Sequence, residues 1–337
     1  TSHAYDYTWH IGTDYTGQHP PKQTYENPNE DATQIMRREV SLEVRLTKHP
    51  ECSVSTSQNL RIFPKVLPEF TFTESGCHPL TAELRSTSKV YGSARYEWLV
   101  DGRSVGATSE LKPQLENPSH TTEKEYTVKL RAISEQGCVG EKEHKVVVYP
   151  KPLANFEFRG EALHCPPYDA QIDISKTEGV NLSYSYDFGD GTTTTSDDLT
   201  GLKHRYQNTT DAEVTYLTKL EVTSAHGCKD ATTLPIVIYP QVRAAFKFVT
   251  QTTACSPYPV QFTNESQNAS YYKWDFGDGS GDTNEAPEHT FVNSTDVDKT
   301  FSIKLVARSQ TGCEGEVMHP LTVHAKPHAA FSVTPVT

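Results

Sequence analysis

An aromatic and acidic motif returns at a fixed interval and divides the chain into repeats. The clearest copies are Tyr272–Gly279, with the sequence YKWDFGDG, and Tyr184–Gly191, with YSYDFGDG. Weaker copies occupy Tyr96–Gly102 and Tyr7–Asp14, and the central aromatic residues of the four copies are about 88 residues apart. These central residues are Trp9, Trp98, Tyr186 and Trp274. A constant period predicts a tandem array of about four domains, rather than the two or three that 337 residues would suggest.

The period also places the boundaries between the repeats. We predict repeat one at residues 1–67, repeat two at 68–152, repeat three at 153–242 and repeat four at 243–327. Residues 328–337 are predicted to be the first strand of a further domain. The reason is that Ala329-Ala330-Phe331-Ser332-Val333 resembles the openings of repeats three and four, Ala154–Phe158 and Ala244–Phe248.

One alternating strand occupies the same place in every repeat. Its apolar positions stand twelve, ten, eight and six residues before a cysteine. They are Val40, Leu42, Val44 and Leu46; Tyr126, Val128, Leu130 and Ala132; Tyr216, Thr218, Leu220 and Val222; and Phe301, Ile303, Leu305 and Ala307. A period of two residues, with polar residues between these positions, indicates a strand that is buried on one face.

A second apolar strand closes each repeat and runs into a short joint that contains proline. These strands are Leu60–Phe63, Val146–Tyr149, Ile236–Tyr239 and Leu321–His324. Short strands separated by turn signals, together with a hydrophobic content of only 35%, predict small immunoglobulin-like β-sandwiches with thin cores. The fold class is therefore all-β, and the stiff joints predict an extended rod.

Seven cysteines follow the register of the repeats and form two classes. Cys52, Cys138, Cys228 and Cys313 each follow a polar turn, which in the last three ends in Gly-Cys, whereas Cys77, Cys165 and Cys255 precede a turn with proline. Joining one of each class inside a repeat gives Cys77–Cys138, Cys165–Cys228 and Cys255–Cys313, with loops of roughly 60 residues. These equal loops predict one intradomain disulfide per repeat and an oxidising compartment. No C-x-x-C pair of the kind that a zinc site needs occurs.

Cys52 is left without a partner of the other class. Its partner is expected about 60 residues upstream, before Thr1, by the loop length of the other repeats. We therefore interpret repeat one as lacking its N-terminal strands and the sequence as a window onto a longer array. The alternative interpretation is that Cys52 is a free thiol.

The motifs of repeats three and four resemble a known family. Trp274–Gly279 and Tyr186–Gly191 look like the W-D-F-G-D-G signature of polycystic-kidney-disease (PKD) domains, and His289-Thr290-Phe291 and His204-Arg205-Tyr206 look like its H-x-Y element. The resemblance implies a β-sandwich of two sheets. Repeats one and two depart from the motif, with His10–Thr13 and Leu99–Gly102 in its place. The cysteine pattern, with Gly-Cys after the long strand, resembles that of PKD arrays in bacterial surface proteins and adhesins exported through type IX secretion.

The carboxylates of the motif admit two interpretations. Clustered oxygens are typical calcium ligands, and the candidates are Asp187, Asp190, Asp275, Asp278 and Asp282. Asp282 makes repeat four the better calcium candidate. The other interpretation is a tight turn at Asp190-Gly191 and Asp278-Gly279 that needs positive φ, in which Asp187 and Asp275 cap amides. No other cofactor is expected.

Two further residue types have a structural and a functional interpretation. The central aromatics Trp9, Trp98, Tyr186 and Trp274 could stack on sugar rings, but their repeated strand position favours packing in a core. Asn181, Asn208, Asn264, Asn268 and Asn293 head N-x-S/T sequons, which are either glycan acceptors in a eukaryotic secreted protein or chance matches.

The chemistry of the chain predicts a protein that is not an enzyme. No G-x-S-x-G and no phosphate-binding glycine loop occurs, and a net charge of −12 disfavours nucleic acid. No run is long and apolar enough for a membrane span. We predict a structural or adhesive stalk or fibre segment of a large surface protein outside the cell. Its partners would be other domains of the array, with a cell-surface, matrix or polysaccharide ligand.

Two other functions stay open at this point. The repeats could be accessory modules that present substrate to a secreted hydrolase, which would need a catalytic domain elsewhere and an exposed aromatic row here. Alternatively, the chain could be a fibre subunit that assembles by strand exchange, with repeat one and the strand around Phe331 complementing each other between chains.

Overall fold

The described part of the chain consists of strands, turns and loops without a helix. A computed structural model describes residues 4–29, 31–160, 163–327 and 329–333. Within these ranges no helix suited to crossing a membrane is found. The chain forms two compact units, one made of residues 1–152 with Ser224–Cys228 and the other of residues 153–223 with 229–337. The all-β prediction is confirmed.

Repeat one forms a single antiparallel sheet in its described residues. Its strands are β1 (Tyr5–His10), β2 (Asp14–Thr16), β3 (Met36–Leu46) and β4 (His49–Ile62), in the order β2-β1-β3-β4. Trp9 on β1 is paired with Leu42 on β3, and both side chains are half-buried. The equivalent Trp98 and Leu130 of repeat two are fully buried. One face of this sheet therefore lacks the cover that repeat two has.

Repeat two contains three sheets around one core. Its strands are β5 (Phe70–Phe72), β6 (Ser75–Cys77), β7 (Leu80–Thr81), β8 (Leu84–Ser86), β9 (Ala94–Val100), β10 (Arg103–Gly106), β11 (Glu110–Leu111), β12 (Gln114–Leu115), β13 (Lys124–Ser134) and β14 (Val139–Tyr149). The sheet orders are β10-β9-β13-β14-β6, β11-β8-β5 and β12-β7. Strand β6 is the exception to antiparallel pairing, because it runs parallel to β14.

Repeats three and four are two-sheet sandwiches. Repeat three contains β15 (Glu157–Arg159), β16 (Tyr168–Asp173), β17 (Ser183–Asp187), β18 (Thr193–Ser196), β19 (Lys203–Tyr206), β20 (Val214–Thr223) and β21 (Lys229–Ile238). Repeat four contains β22 (Phe246–Phe248), β23 (Thr253–Cys255), β24 (Tyr258–Asn264), β25 (Tyr271–Asp275), β26 (Gly281–Asp282), β27 (Glu288–Phe291), β28 (Lys299–Arg308) and β29 (Glu314–His324). The orders are β15-β16-β19 with β18-β17-β20-β21, and β22-β24-β27 with β23-β29-β28-β25-β26.

The core of each complete sandwich is built on the central aromatic of the motif. Trp98, Tyr186 and Trp274 are at most 1% exposed. A phenylalanine from the first strand of each repeat packs on this ring with centroids about 5 Å apart: Phe70 on Trp98, Phe156 on Tyr186 and Phe246 on Trp274. On β13, β20 and β28 alternate residues are buried, as the period-two pattern predicts.

The disulfides join cysteines of different repeats, so the predicted intradomain pairing is wrong. Cys77 is bonded to Cys228, and Cys165 is bonded to Cys313, with a Cα–Cα distance of 5.5 Å in each bond. Cys228 lies in the turn Ser224–Cys228, which belongs to the first compact unit. Cys52, Cys138 and Cys255 are free thiols.

The reason for the different pairing is that the two cysteine classes lie at opposite ends of the closing strand. Cys77 is paired with Tyr149, the last residue of β14, whereas Cys138 directly precedes Val139, the first residue. The 11 residues of β14 therefore separate the two cysteines. At about 3.3 Å per residue this is roughly 35 Å, far beyond the reach of a disulfide. The similar number of residues between the two cysteines of each repeat therefore reflects similar spacing of the strands along the chain and not proximity in space.

Candidate functional site

The acidic motif of repeats three and four forms turns that its own carboxylates cap. In repeat four the Asp275 carboxylate accepts the N–H of Gly277 at 2.9 Å, and Asp278 accepts the N–H of Ser280 at 2.9 Å. Repeat three has the same bonds, from Gly189 to Asp187 and from Thr192 to Asp190. The glycines that follow, Gly191 and Gly279, have positive φ. This geometry is the one that the turn interpretation requires.

A histidine occupies the second carboxylate oxygen in both motifs. His289 Nε2 lies 2.7 Å from Asp278 Oδ2, and its ring stacks on Phe276 with centroids 4.2 Å apart. In repeat three, His204 lies 2.6 Å from Asp190, and its ring stacks on Phe188 at 3.9 Å. The H-x-Y element thus ties β19 and β27 to the turn of the acidic motif.

Several carboxylate oxygens of the candidate calcium ligands accept hydrogen bonds from the protein. Both oxygens of Asp190 and of Asp278 have hydrogen-bond partners, and Asp282 accepts the N–H groups of Thr283 and Asn284. Within residues 4–29, 31–160, 163–327 and 329–333 no group of three or more potential metal ligands is present. The role of Asp187, Asp190, Asp275, Asp278 and Asp282 as calcium ligands stays a prediction.

Repeat four is expected to lose stability in acid because of Asp278. Partial burial opposes its ionisation, but the hydrogen bonds from Ser280 and His289 outweigh burial and lower the pKa of Asp278 to about 2. Since the unfolded pKa is about 3.9, the contribution is complete above that pH and is lost as pH falls toward 2. The side chain is 22% exposed, so solvent screening reduces the effect to about 1–2 kcal/mol.

The measurement is urea unfolding of the protein between pH 5 and pH 2. Asp278→Asn should be less stable at pH 5 and should show a smaller loss below pH 4 than the unsubstituted protein. An equal loss in both proteins would contradict the assignment to Asp278.

Two glycines of the acidic motif provide a matched pair for a second prediction. Gly277 has φ +76°, and a Cβ there would lie 2.7 Å from the carbonyl oxygen of Ser302, whereas Gly279 has φ +94° with open space around it. Gly279→Ala carries the conformational cost alone, about 1–2 kcal/mol. Gly277→Ala adds a backbone overlap worth roughly 1–3 kcal/mol more. Thermal unfolding of both variants checks this, and equal losses would contradict it.

A buried asparagine that the sequence interpretation missed ties each repeat together. Its amide group donates one hydrogen bond to a carbonyl near the end of the closing strand and one to the loop before the long strand. These residues are Asn27, Asn117, Asn208 and Asn293, at most 5% exposed. The available signal was an asparagine six to nine residues before each long alternating strand.

This role also decides how two of the sequons are used. Asn208 donates to Ile238 and Ala212, and Asn293 donates to Val323 and Val297, so both amide nitrogens are buried and engaged. A glycan on either nitrogen would break these bonds. Asn268 is also engaged, because it donates to Asp211 and to the carbonyl of Gln241.

The second compact unit contains a joint between repeats three and four. The Cys165–Cys313 bond lies beside a small apolar cluster in which Val242, Ala307 and Cys313 are buried against Tyr239 and Ala269. The 3.2 Å hydrogen bond from Asn268 to Asp211 joins the same two repeats. This joint therefore has a peptide link, a disulfide and its own small core.

The first compact unit contains similar contacts around its disulfide. The ring of His226 stacks on Tyr149 with centroids 3.8 Å apart and planes 6° apart. His226 also lies 3.4 Å from Glu123. In this unit the Gly-Cys turn is therefore held by the disulfide and by a polar contact with the loop that follows Asn117.

The geometry of the DFGDG turn and its histidine agrees with the family to which this segment is similar. Residues 240–323 match the family model of the PKD domain. Repeat four is therefore similar to a PKD domain. Its buried Trp274, its two Asp-capped turns and its His289 all lie within the matched residues.

Solved structures also include PKD domains among those similar to the chain. The PKD1 domain of the Vibrio cholerae metalloprotease PrtV is 22% identical, over 24% of this chain and 94% of that one, with a TM-score of 0.20. The PKD1 domain of Vibrio anguillarum Epp is 19% identical, over 25% of this chain and 95% of that one, with a TM-score of 0.21.

A third solved structure comes from a polysaccharide utilisation system. It is the SGBP-B protein of the Bacteroides ovatus mixed-linkage glucan utilization locus, in complex with a mixed-linkage heptasaccharide. Its identity is 14%, over 77% of this chain and 70% of that one, with a TM-score of 0.22. No curated protein matches the sequence. Identities and TM-scores this low support no statement about ligands or activity.

Proposed function

We propose that this chain is a non-catalytic structural segment of a large exported protein, in which it acts as a stalk or spacer. The single observation that carries the proposal is that each disulfide joins one repeat to the next. A bond inside a domain stabilises that domain alone. A bond between domains restricts their relative motion, which is the property that a spacer needs and that an isolated binding module does not.

The disulfides also support a location outside the cell. Such bonds persist in the periplasm, at the cell surface and in the medium, and are rare in reducing compartments. A net charge of −12 keeps an extended array soluble and opposes association between copies. We therefore place the segment at the cell surface, with adhesion to a surface, matrix or polysaccharide ligand as the role of the parent protein.

The joint between repeats three and four provides the physical basis for stiffness. A single peptide link at Tyr239–Val242 would allow rotation about several bonds. The Cys165–Cys313 bond adds a second covalent link, and the buried Val242 and Ala307 must be exposed to solvent before the joint can open. Exposing such a cluster costs about 25 cal/mol for each Å² of apolar surface.

The test measures the spread of distances across this joint. Spin labels are attached to noncanonical amino acids at the exposed positions Leu217 in repeat three and Met318 in repeat four. Pulsed electron paramagnetic resonance then measures the distance between the two labels. We expect one narrow distance distribution in the oxidised protein and a clearly broader one in the double variant Cys165→Ser, Cys313→Ser.

The matched control for this test is Cys138→Ser, which removes a free thiol and should leave the distribution unchanged. A broad distribution in the oxidised protein would overturn the spacer proposal, because the disulfide would then not restrict the joint.

A further inference from the structure

The two disulfides obey one rule of connection. In each bond the cysteine before a proline turn is joined to the cysteine that ends the Gly-Cys turn of the following repeat: Cys77 of repeat two to Cys228 of repeat three, and Cys165 of repeat three to Cys313 of repeat four. Cys255 also precedes a proline turn. It lies in repeat four and is an exposed free thiol. The rule assigns it a partner on a fifth repeat.

We propose that the end of repeat four around Cys255 is a covalent docking site for the Gly-Cys turn of a further repeat, the one whose opening residues 329–333 resemble. The proposal rests on the spacer function and extends it by naming a partner. We define the Cys255 seat as Cys255, His324 and the loop 293–299.

The backbone of the Cys255 seat matches that of a seat already in use. Strand β6 runs parallel to β14 with Cys77 opposite Tyr149, and β23 runs parallel to β29 with Cys255 opposite His324. The residue after the cysteine donates its N–H to the opposite carbonyl in both, at 3.0 Å to Tyr149 and at 3.2 Å to His324. Cys255 is therefore held on the same framework as the bonded Cys77.

The loop beside the seat is a second and independent observation. In the two formed joints this loop contacts the following repeat, through Glu123 to His226 and through Asp211 to Asn268. In repeat four the equivalent loop is tied to β29 by Asn293 in the same way. It presents Val297 with 69% of its surface exposed. The seat is thus a patch of loop and thiol and not an isolated cysteine.

The turn that would enter the seat is built alike wherever it occurs. A serine four residues before each cysteine accepts the N–H of that cysteine: Ser134 from Cys138 at 3.1 Å, Ser224 from Cys228 at 3.2 Å and Ser309 from Cys313 at 3.0 Å. A further repeat of this type would carry the same turn and would present its thiol at the same place.

The bond forms by thiol–disulfide exchange and needs an acceptor of electrons. Each of the two thiols loses its proton, a sulfur–sulfur bond forms between them, and the two electrons reduce a small-molecule disulfide such as oxidised glutathione to two thiols. The oxidising compartment to which the protein is exported, or a refolding buffer with oxidised and reduced glutathione, provides this acceptor.

The test extends the chain by one repeat of known fold. Residues 331–337 are replaced by a second copy of residues 246–327 that carries Cys255→Ser, so that the original Cys255 alone is followed. The protein is folded with oxidised and reduced glutathione and treated with iodoacetamide. We expect alkylation of Cys255 to fall at least tenfold relative to the unextended chain. Peptide mapping should find Cys255 bonded to the Cys313 of the added copy.

Two controls make the result specific. Cys313→Ser in the added copy alone should restore alkylation of Cys255, and Cys52, which is exposed and free, should react equally in all chains. The original Cys165–Cys313 bond in the same digest reports that the parent repeats have folded, so failure of the spacer proposal would be seen separately there.

A second extended chain covers the possibility that the first added copy does not fold. It carries a copy of residues 156–242 in the same place. A reactive Cys255 in both extended chains would overturn the proposal. Added copies that stay sensitive to protease in both chains would also count against it, since a seat of this kind should hold its partner.

Discussion

Replacing Asn293 with alanine is expected to lower the free energy of unfolding of repeat four by about 3 kcal/mol. The substitution removes two hydrogen bonds of 2.8 Å and takes the amide donor away from the carbonyl of Val323, whereas the carbonyl of Val297 keeps the Thr295 hydroxyl at 2.9 Å. It also removes the acceptor for the N–H and the hydroxyl of Thr295. A buried polar group without a partner costs about 1–3 kcal/mol, and Asn293 is only 2% exposed, so water does not replace the lost bonds.

The measurement is urea unfolding followed by the fluorescence of Trp274. Trp9 and Trp98 are replaced by phenylalanine in every protein compared, so that the signal reports repeat four alone. Asn284→Ala is the matched control, because its side chain is exposed and its hydrogen bonds to Trp274 and Asp282 are made by its backbone carbonyl and N–H. We expect the control to change stability by less than about 0.5 kcal/mol. A loss below about 1 kcal/mol for Asn293→Ala would contradict the assigned role.

The second large effect is the length to which the unfolded chain can be stretched. The loops closed by the two disulfides overlap, because Cys165 lies inside the first loop and Cys228 inside the second. The shortest covalent path from Cys77 to Cys313 crosses the first bond to Cys228, runs back along the chain to Cys165 and crosses the second bond. It contains about 63 residues, or roughly 220 Å at full extension. Without disulfides the same segment reaches about 830 Å.

Single-molecule pulling in the presence and absence of reductant measures this limit. Reduction should release about 173 residues, or roughly 610 Å of contour length. The intradomain pairs Cys77–Cys138, Cys165–Cys228 and Cys255–Cys313 would instead release about 180 residues, or roughly 640 Å. These two releases are close, so the single variant Cys165→Ser is needed to distinguish the two connectivities.

As a control for this measurement, the single variant Cys165→Ser should make the Cys77–Cys228 bond the only limit. The shortest path from Cys77 to Cys313 is then about 85 residues, so the release on reduction falls to roughly 530 Å. The intradomain pairs that remain in this variant would release roughly 420 Å, and that value would contradict the bonds between repeats. The double variant Cys77→Ser, Cys165→Ser should show no release. This pattern is specific to overlapping loops, because either bond alone shortens the path by almost the same amount.

The order of the strands and the identity of the buried aromatics could be predicted because they depend on local pattern. The alternation on β13, β20 and β28 indicates which face of each strand is buried. The recurrence of Trp98, Tyr186 and Trp274 indicates that these residues occupy equivalent positions of the same fold. Four copies of the same pattern reduce the ambiguity that a single short strand has. The Asp-Gly turns were predictable for the same reason, since their φ values depend on adjacent residues.

The sequence pattern shows that the buried asparagines and the histidines of the motif recur, but it does not show which groups they contact. Asn27, Asn117, Asn208 and Asn293 recur, but a polar residue in a loop gives no sign of burial until its partners are known. Their partners at Ile62, Val148, Ile238 and Val323 are about 30 residues away in sequence. The sequence itself contains the recurrence, whereas the contact requires the fold.

By itself the sequence determined the all-β class, the alternating strands and the two classes of cysteine. Only the tertiary structure decided which cysteines meet. Pairing depends on distance in space, and an 11-residue strand places Cys77 and Cys138 at opposite ends of one repeat. The turn of the following repeat brings Cys228 within 5.5 Å of Cys77. Loop length along the chain contains no information about that approach, because it depends on contacts between residues that are distant in sequence.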